Sequence, residues 1–297
     1  MRRRMITTRA VAVAAAVLLF AACGSSSGSS AKDTSTTTKK ATTLPKVTIE
    51  AADFSFDVPA TIPAGYVDVT VNNTGKEGHQ VQFVKLGDGV TYDDFKAAAA
   101  KTDISALSTS TFVGGPNGAD PGGSASAILK LDPGTYALTC FIPGADGTPH
   151  AAHGMNATVE VKKTAESVET APTTKGTITL GDFVFEPPAG FNGNGTYAVE
   201  NQGNEVHELA LFKIADGKTL DDVKGFILTP PGTPPPAGPP PFTEVGGTVG
   251  LSHGQTAWLD LKLDPGDYAM FCFFPDPNKD DMPHALEGMI KGFTVTA

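Results

Sequence analysis

Cysteine is scarce in this chain, with only Cys23, Cys140 and Cys272 among 297 residues. Lone cysteines in separate stretches exclude a disulfide framework within either stretch. Arginine is nearly absent too. All four (Arg2, Arg3, Arg4 and Arg9) fall in the first nine residues, which leaves 18 lysines against 32 Asp plus Glu, a balance of −14. So acidic a chain excludes nucleic acid as a partner and favours basic proteins. The apolar run from Ala10 to Ala22 is too short to cross a bilayer. The six histidines contain no His-x-His pair.

What is present at the start reads as targeting. Arginines, the apolar run and the small residues Ala21 and Ala22 lead into Cys23. This resembles a bacterial lipoprotein signal over residues 1–22, with Phe20 where such signals usually carry Leu. The resemblance implies lipidation of Cys23 and an exported chain held at the outer face of the cytoplasmic membrane or in the cell envelope. Residues 23–45, rich in Gly, Ser, Thr, Ala and Lys without aromatics, then read as a flexible tether.

The rest of the chain is duplicated. Asn73, Gly75 and His79 keep the spacing of Asn201, Gly203 and His207, and Leu131-Asp-Pro-Gly-Thr-Tyr136 before Cys140 answers Leu263-Asp-Pro-Gly-Asp-Tyr268 before Cys272. His150 and Met155 then follow the first Cys as His284 and Met289 follow the second, with the same His to Met spacing. These repeats predict two domains, 46–163 and 176–297, joined by a linker over 164–175.

Apolar alternation at Thr48–Phe56, Val67–Val71 and Val81–Val84, broken by Gly and Pro clusters, predicts half-buried strands of an antiparallel sandwich. The fold class is therefore all-β, two tandem Greek-key sandwiches. Tyr92–Lys101 and Thr219–Phe226 predict one short helix in each, with Asp93-Asp94 and Asp221-Asp222 at the helix starts. The proline-rich run Thr229–Pro241 reads as a surface loop. Asp-Pro-Gly makes a tight turn into a strand that sets Tyr136, Leu138 and Cys140 on one face, with the Tyr placed to form a tyrosine corner.

One imidazole, a thiol, a second imidazole and a thioether form a donor set acceptable to both Cu(I) and Cu(II). At these residues the chain resembles the cupredoxins, plastocyanin-like type 1 copper proteins, over nearly all of both repeats. The resemblance implies two copper ions, one per domain. The ligands would be His79, Cys140, His150 and Met155 for one, and His207, Cys272, His284 and Met289 for the other. Two departures stand out. Nine and eleven residues separate each Cys from its following His, where the family has a few, and they could bulge outward or relax the site. Gln80 and Glu208 also follow the first His, where plastocyanins carry Asn, leaving the support behind the ligands open.

The expectation is electron transfer with a redox partner protein or a membrane electron-transfer chain, and no bond chemistry. A copper scavenging or delivery protein and a metal-free structural sandwich are the alternatives. A multicopper oxidase is disfavoured by the missing His-x-His pairs. His153, matched by Glu287, reads as an exposed loop residue, His253 as a turn residue and Met282 as gap filling. Asp280-Asp281 reads as a solvated pair.

Overall fold

The computed structural model describes residues 43–228 and 236–296. The signal, Cys23, nearly all of the tether and Thr229–Pro235 of the proline-rich run lie outside the described residues. The first repeat contains β1 (Lys46–Ala52), β2 (Ser55–Asp57), β3 (Thr61–Pro63), β4 (Gly65–Asn73), β5 (Gln82–Lys85), α1 (Tyr92–Ala99), β6 (Thr111–Phe112), β7 (Ser124–Leu131), β8 (Gly134–Thr139) and β9 (Asn156–Lys162). The second contains β10 (Thr177–Gly181), β11 (Val184–Glu186), β12 (Asn194–Asn201), β13 (His207–Ile214), α2 (Leu220–Ile227), β14 (Phe242–Leu251), β15 (Thr256–Lys262), β16 (Gly266–Phe271), β17 (Pro275–Asp276), β18 (Met282–Pro283) and β19 (Ile290–Val295).

Each repeat is a sandwich of two sheets. In the first, β2-β1-β4-β7 faces β3-β9-β8-β5-β6; in the second, β11-β10-β12-β15 faces β14-β13-β16-β19. Strand β4 alternates strictly, and its inward Val67, Val69 and Val71 are fully buried, each contributing roughly 1.5–3 kcal/mol by leaving water. The parallel pairing of β1 with β4 forces the chain to cross between sheets, as a Greek-key sandwich requires. Both helices begin with a capping box in which Thr91 or Thr219 exchanges hydrogen bonds with Asp94 or Asp222. The tyrosine corners form as well. Tyr136 and Tyr268 donate their hydroxyl protons to the carbonyls of Asp132 and Asp264 at 2.9 and 2.8 Å.

Two features depart from the sequence reading. The stretch Thr48–Phe56 is a hairpin rather than one strand, because Phe54 adopts φ 64° and turns β1 into β2; Phe183, φ 63°, does the same between β10 and β11. Strand β5 is buried on both faces, since the second repeat covers its outer side. There the Gln82 amide donates to Gly250 O at 3.0 Å.

The repeats are also joined edge to edge. Leu129 and Ile128 of β7 pair with Ala257 and Trp258 of β15, which fuses four strands from each repeat into one eight-stranded sheet. Bridges of Val113 to Leu251 and Pro116 to Thr248 tie the opposite layer. The described residues of both repeats accordingly belong to one compact unit. Between the repeats, Val168 lies along the start of β4 and accepts the Tyr66 N–H at 2.7 Å.

Candidate metal centres

Three parts of the chain converge on one spot in each repeat. His79 and His207 sit at the entry to β5 and at the start of β13. Cys140 and Cys272 follow β8 and β16, and His150 and His284 lie on the loop before the last strand. The first group, His79, Cys140 and His150, and the second, His207, Cys272 and His284, each hold three donor atoms within 4.8 Å of one another, and all six residues are buried. His79 Nδ1 stands 3.2 Å from His150 Nδ1, which is 3.5 Å from Cys140 Sγ. In the second group the His207 to His284 Nδ1 distance is 3.0 Å, and Cys272 Sγ lies 3.9 and 3.4 Å from those two nitrogens. Donors about 2.0–2.3 Å from a shared ion in a trigonal plane stand roughly 3.5–4 Å apart, so the sets fit a small metal ion with little movement.

The methionines close the same loops. Met155 and Met289 are fully buried. Their carbonyls accept the Cys140 and Cys272 N–H at 3.3 Å, and their own N–H groups donate to His150 O and His284 O at 3.0 Å. Of each expected quartet, the structure thus gathers three donor side chains and pins the backbone of the fourth residue beside them.

The long Cys to His stretches bulge outward. In the first repeat Gly144 N–H donates to Thr148 O and His150 N–H to Ile142 O, so the extra residues fold into a small hairpin. In the second, β17 pairs with β18 and His284 N–H donates to Phe274 O at 3.0 Å. Ala151 and Ala285 then bond back to the carbonyls of Cys140 and Cys272. The inserted residues close on themselves and return the imidazole beside the thiol.

The Asn-x-Gly signature acquires a physical role. Asn73 donates to Glu77 O and Ala119 O, both at 2.7 Å, and accepts the Gly75 N–H; Asn201 does the same with Glu205 O, Leu251 O and Gly203. At both glycines a Cβ would collide with an aspartate oxygen and with the histidine Nε2. Only a residue without a side chain lets those two groups meet.

Those aspartates, Asp53 and Asp182, were not among the residues expected from the sequence. Asp53 Oδ1 lies 3.4 Å from His79 Nε2 and Asp182 Oδ1 3.1 Å from His207 Nε2. Each also accepts backbone N–H groups, from Lys76 and Glu77 or from Asn204 and Glu205. The next residue is the left-handed phenylalanine. Phe54 and Phe183 set their rings edge-on, 5.1 Å from His150 and His284. One two-residue turn thus backs the first histidine with a carboxylate and covers the second with a ring. The signal was present as Asp-Phe at equivalent places in both repeats, hidden inside what reads as a strand.

Charge follows burial. Desolvation lowers His79, with His150 adding to it, lowers His207 against the pull of Asp182, and takes His284 to about 4. Burial pushes the Cys140 thiol to about 12 and Cys272 upward as well. Burial opposes the charge on Asp182, but His207, Asn204 and two backbone N–H groups outweigh it and bring the carboxyl to about 2. At neutral pH both metal-free thiols are therefore protonated, and His79, His207 and His284 are held as neutral imidazoles.

The remaining sequence candidates lie apart. His153 is exposed, near Asp146 at 3.3 Å and over Phe54. His253 sits in a turn, with its Nδ1 2.8 Å from Gly203 O. Met282 is 40% exposed and fills no gap. Asp280 and Asp281 are exposed, both at positive φ.

No family profile matches this chain, and no curated relative does either. Among solved structures, it is similar to reduced auracyanin from the photosynthetic bacterium Roseiflexus castenholzii (24% identity, 39% of this chain and 96% of that one, TM-score 0.30). Auracyanin A, a blue copper protein from Chloroflexus aurantiacus, matches at 20% identity over 39% and 99%, TM-score 0.28. An azurin from Methylomonas sp. strain J matches at 15% over 40% and 98%, TM-score 0.29. The two-sheet repeats and their His–Cys–His groups agree, on their own geometry, with the cupredoxin resemblance of the sequence.

Proposed function

We propose that this chain is a copper-binding electron-transfer protein holding one copper ion in each repeat, and that it performs no bond chemistry. The observation that carries the reading is the repeated dry cluster, in which one thiol and two Nδ1 atoms converge with the same backbone locks around them. His79, Cys140, His150 and Met155 would hold one ion, and His207, Cys272, His284 and Met289 the other. Bound copper supplies one-electron exchange, and a mixed thiolate, imidazole and thioether set suits both of its oxidation states.

The residues of the chain supply the rest. Asp182, hydrogen-bonded to His207 Nε2, would place the proton on that nitrogen and leave the Nδ1 lone pair facing inward, and Asp53, 3.4 Å from His79 Nε2, would act in the same direction more weakly. Full burial excludes water from the thiol, which sheds its proton as the metal enters. Strands β8 and β16, hydrogen-bonded on both sides, hold each cysteine still, so the donors move little as charge changes.

The reading extends to location through the first 45 residues. Lipidation at Cys23 and the tether would hold the folded part at the outer face of the cytoplasmic membrane or in the cell envelope, within reach of a redox partner protein or a membrane electron-transfer chain. Among the described residues no helix is long and apolar enough to cross a membrane.

Copper titration of residues 24–297, followed by visible absorption and electron paramagnetic resonance, tests the proposal. An intense thiolate-to-copper band saturating at two equivalents is expected. It should halve in Cys140→Ala or Cys272→Ala and vanish in the double variant. Stoichiometric binding without the band would favour copper handling, and no stoichiometric binding would overturn the metal reading.

A further inference from the structure

Where the repeats meet, a cavity of about 430 Å³ opens between the two clusters. Phe141, Phe212, Phe273 and Phe274 line it together with Glu208 and Glu244, and among the described residues no Lys, Arg or His contributes to the wall. Glu208 is 6% exposed and accepts the Phe273 N–H at 2.9 Å. Glu244 reaches across from β14 and rests against Gly118, at φ 67°, where a Cβ would overlap its carboxyl.

This acidity is not a demand of the fold. The place of Glu208 is taken in the first repeat by Gln80, which also lines the cavity. Burial, Asp120 and Glu208 together push Glu244 to about 8, and among the described residues no cation or hydrogen bond acts in the other direction. Two carboxyl side chains, Glu208 buried and Glu244 partly so, thus line one largely aromatic cavity with no cationic side chain beside them among the described residues, an arrangement a positive charge would complete.

We propose that this cavity binds an organic ammonium ion, its charge between Glu208 and Glu244 and its carbon body against the phenylalanine rings. A hard metal ion would need six or more oxygen ligands, whereas most of this wall is carbon. Ring faces attract cations and carboxylates complete the pairing. The volume suits a small molecule rather than a bare ion. The site stands independently of copper, although Gln80, Phe141, Glu208 and Phe273 each directly follow a cluster residue.

The test uses the metal-free and copper-loaded full chain. Phenethylammonium and its neutral analogue 2-phenylethanol are titrated by calorimetry, and the contacts are mapped by amide chemical shifts. One ammonium should bind per chain, about tenfold or more tighter than the alcohol, with shifts at Phe141, Phe273 and Glu244. Glu244→Gln, an isosteric change, should remove the preference for the charged probe, and Glu208→Gln, which copies the first repeat, should weaken it. Equal affinity for the alcohol, preference retained in a folded Glu244→Gln, or shifts mapping elsewhere would each overturn the proposal. The wild-type comparison of the two probes decides even if a variant misfolds.

Discussion

His150 and His284 occupy the same place in the two repeats but do not have the same surroundings. His150 Nε2 faces Glu77 Oε2 at 3.0 Å. His284 Nε2 is buried with no hydrogen-bond partner among the described residues. The counterpart of Glu77 is Glu205, whose carboxyl accepts the Asn278 amide at 2.9 Å. Asn278 belongs to the second repeat's longer Cys to His hairpin. There its amide is a competing donor that holds the Glu205 carboxyl, the counterpart of the Glu77 carboxyl on His150, while His284 Nε2 goes without one. On the other histidine the order is reversed, with Asp182 closer to His207 than Asp53 is to His79. Each cluster is thus well backed on one imidazole and less so on the other.

The largest expected break in this symmetry comes from the aspartates. Asp182→Asn and Asp53→Asn should each lower copper affinity in their own repeat by about 10- to 100-fold, more at Asp182, as measured by chelator competition. Equal losses would show that the difference between 3.1 and 3.4 Å has no weight. Next comes Glu77→Gln. It should speed copper release from the first repeat by up to about tenfold, while Glu205→Gln leaves the second within about twofold.

Asn278→Ala should sharpen the comparison in the opposite direction. Freed from the amide, Glu205 should slow release from the second repeat toward the rate of the first, in stopped-flow transfer to a chelator. An unchanged rate would mean that Glu205 cannot reach the ring. The remaining effect is protonic and concerns the metal-free chain. With its folded value near 4 against an ordinary 6.5, His284 stays neutral where the unfolded chain takes a proton, so it withdraws stability as pH falls from 6.5 toward 4. Glu208 and Glu244, pushed upward, act with the opposite sign as pH rises above 4.5. Metal-free His284 is therefore best followed by its own imidazole resonance, and titration near 6.5 would contradict the structure.

Much of this could be read from sequence because duplication repeats a constraint. The tyrosine corners and the capped helices each appear twice at matched spacing, and the order of His, Cys, His and Met recurs with its His to Met interval unchanged. The Asp-Phe turn also appears twice, yet it escaped notice: Phe alternates well in a strand pattern, and nothing local announces φ 64°. The Glu77 and Glu205 contrast was invisible for a different reason. The residue is Glu in both repeats, and only the distant Asn278 decides where it points. The joint between repeats was equally hidden, since the paired residues of β7 and β15 look like any sandwich edge.

That joint has a thermodynamic consequence. A ligand that binds only the folded state stabilises whatever unfolds together with its site. Because one sheet runs through both repeats and Gln82 reaches into the second, neither can unravel without exposing strand edges and apolar surface of the other. Metal taken up by one repeat would therefore hold its neighbour folded as well, and an empty cluster would be protected by an occupied one.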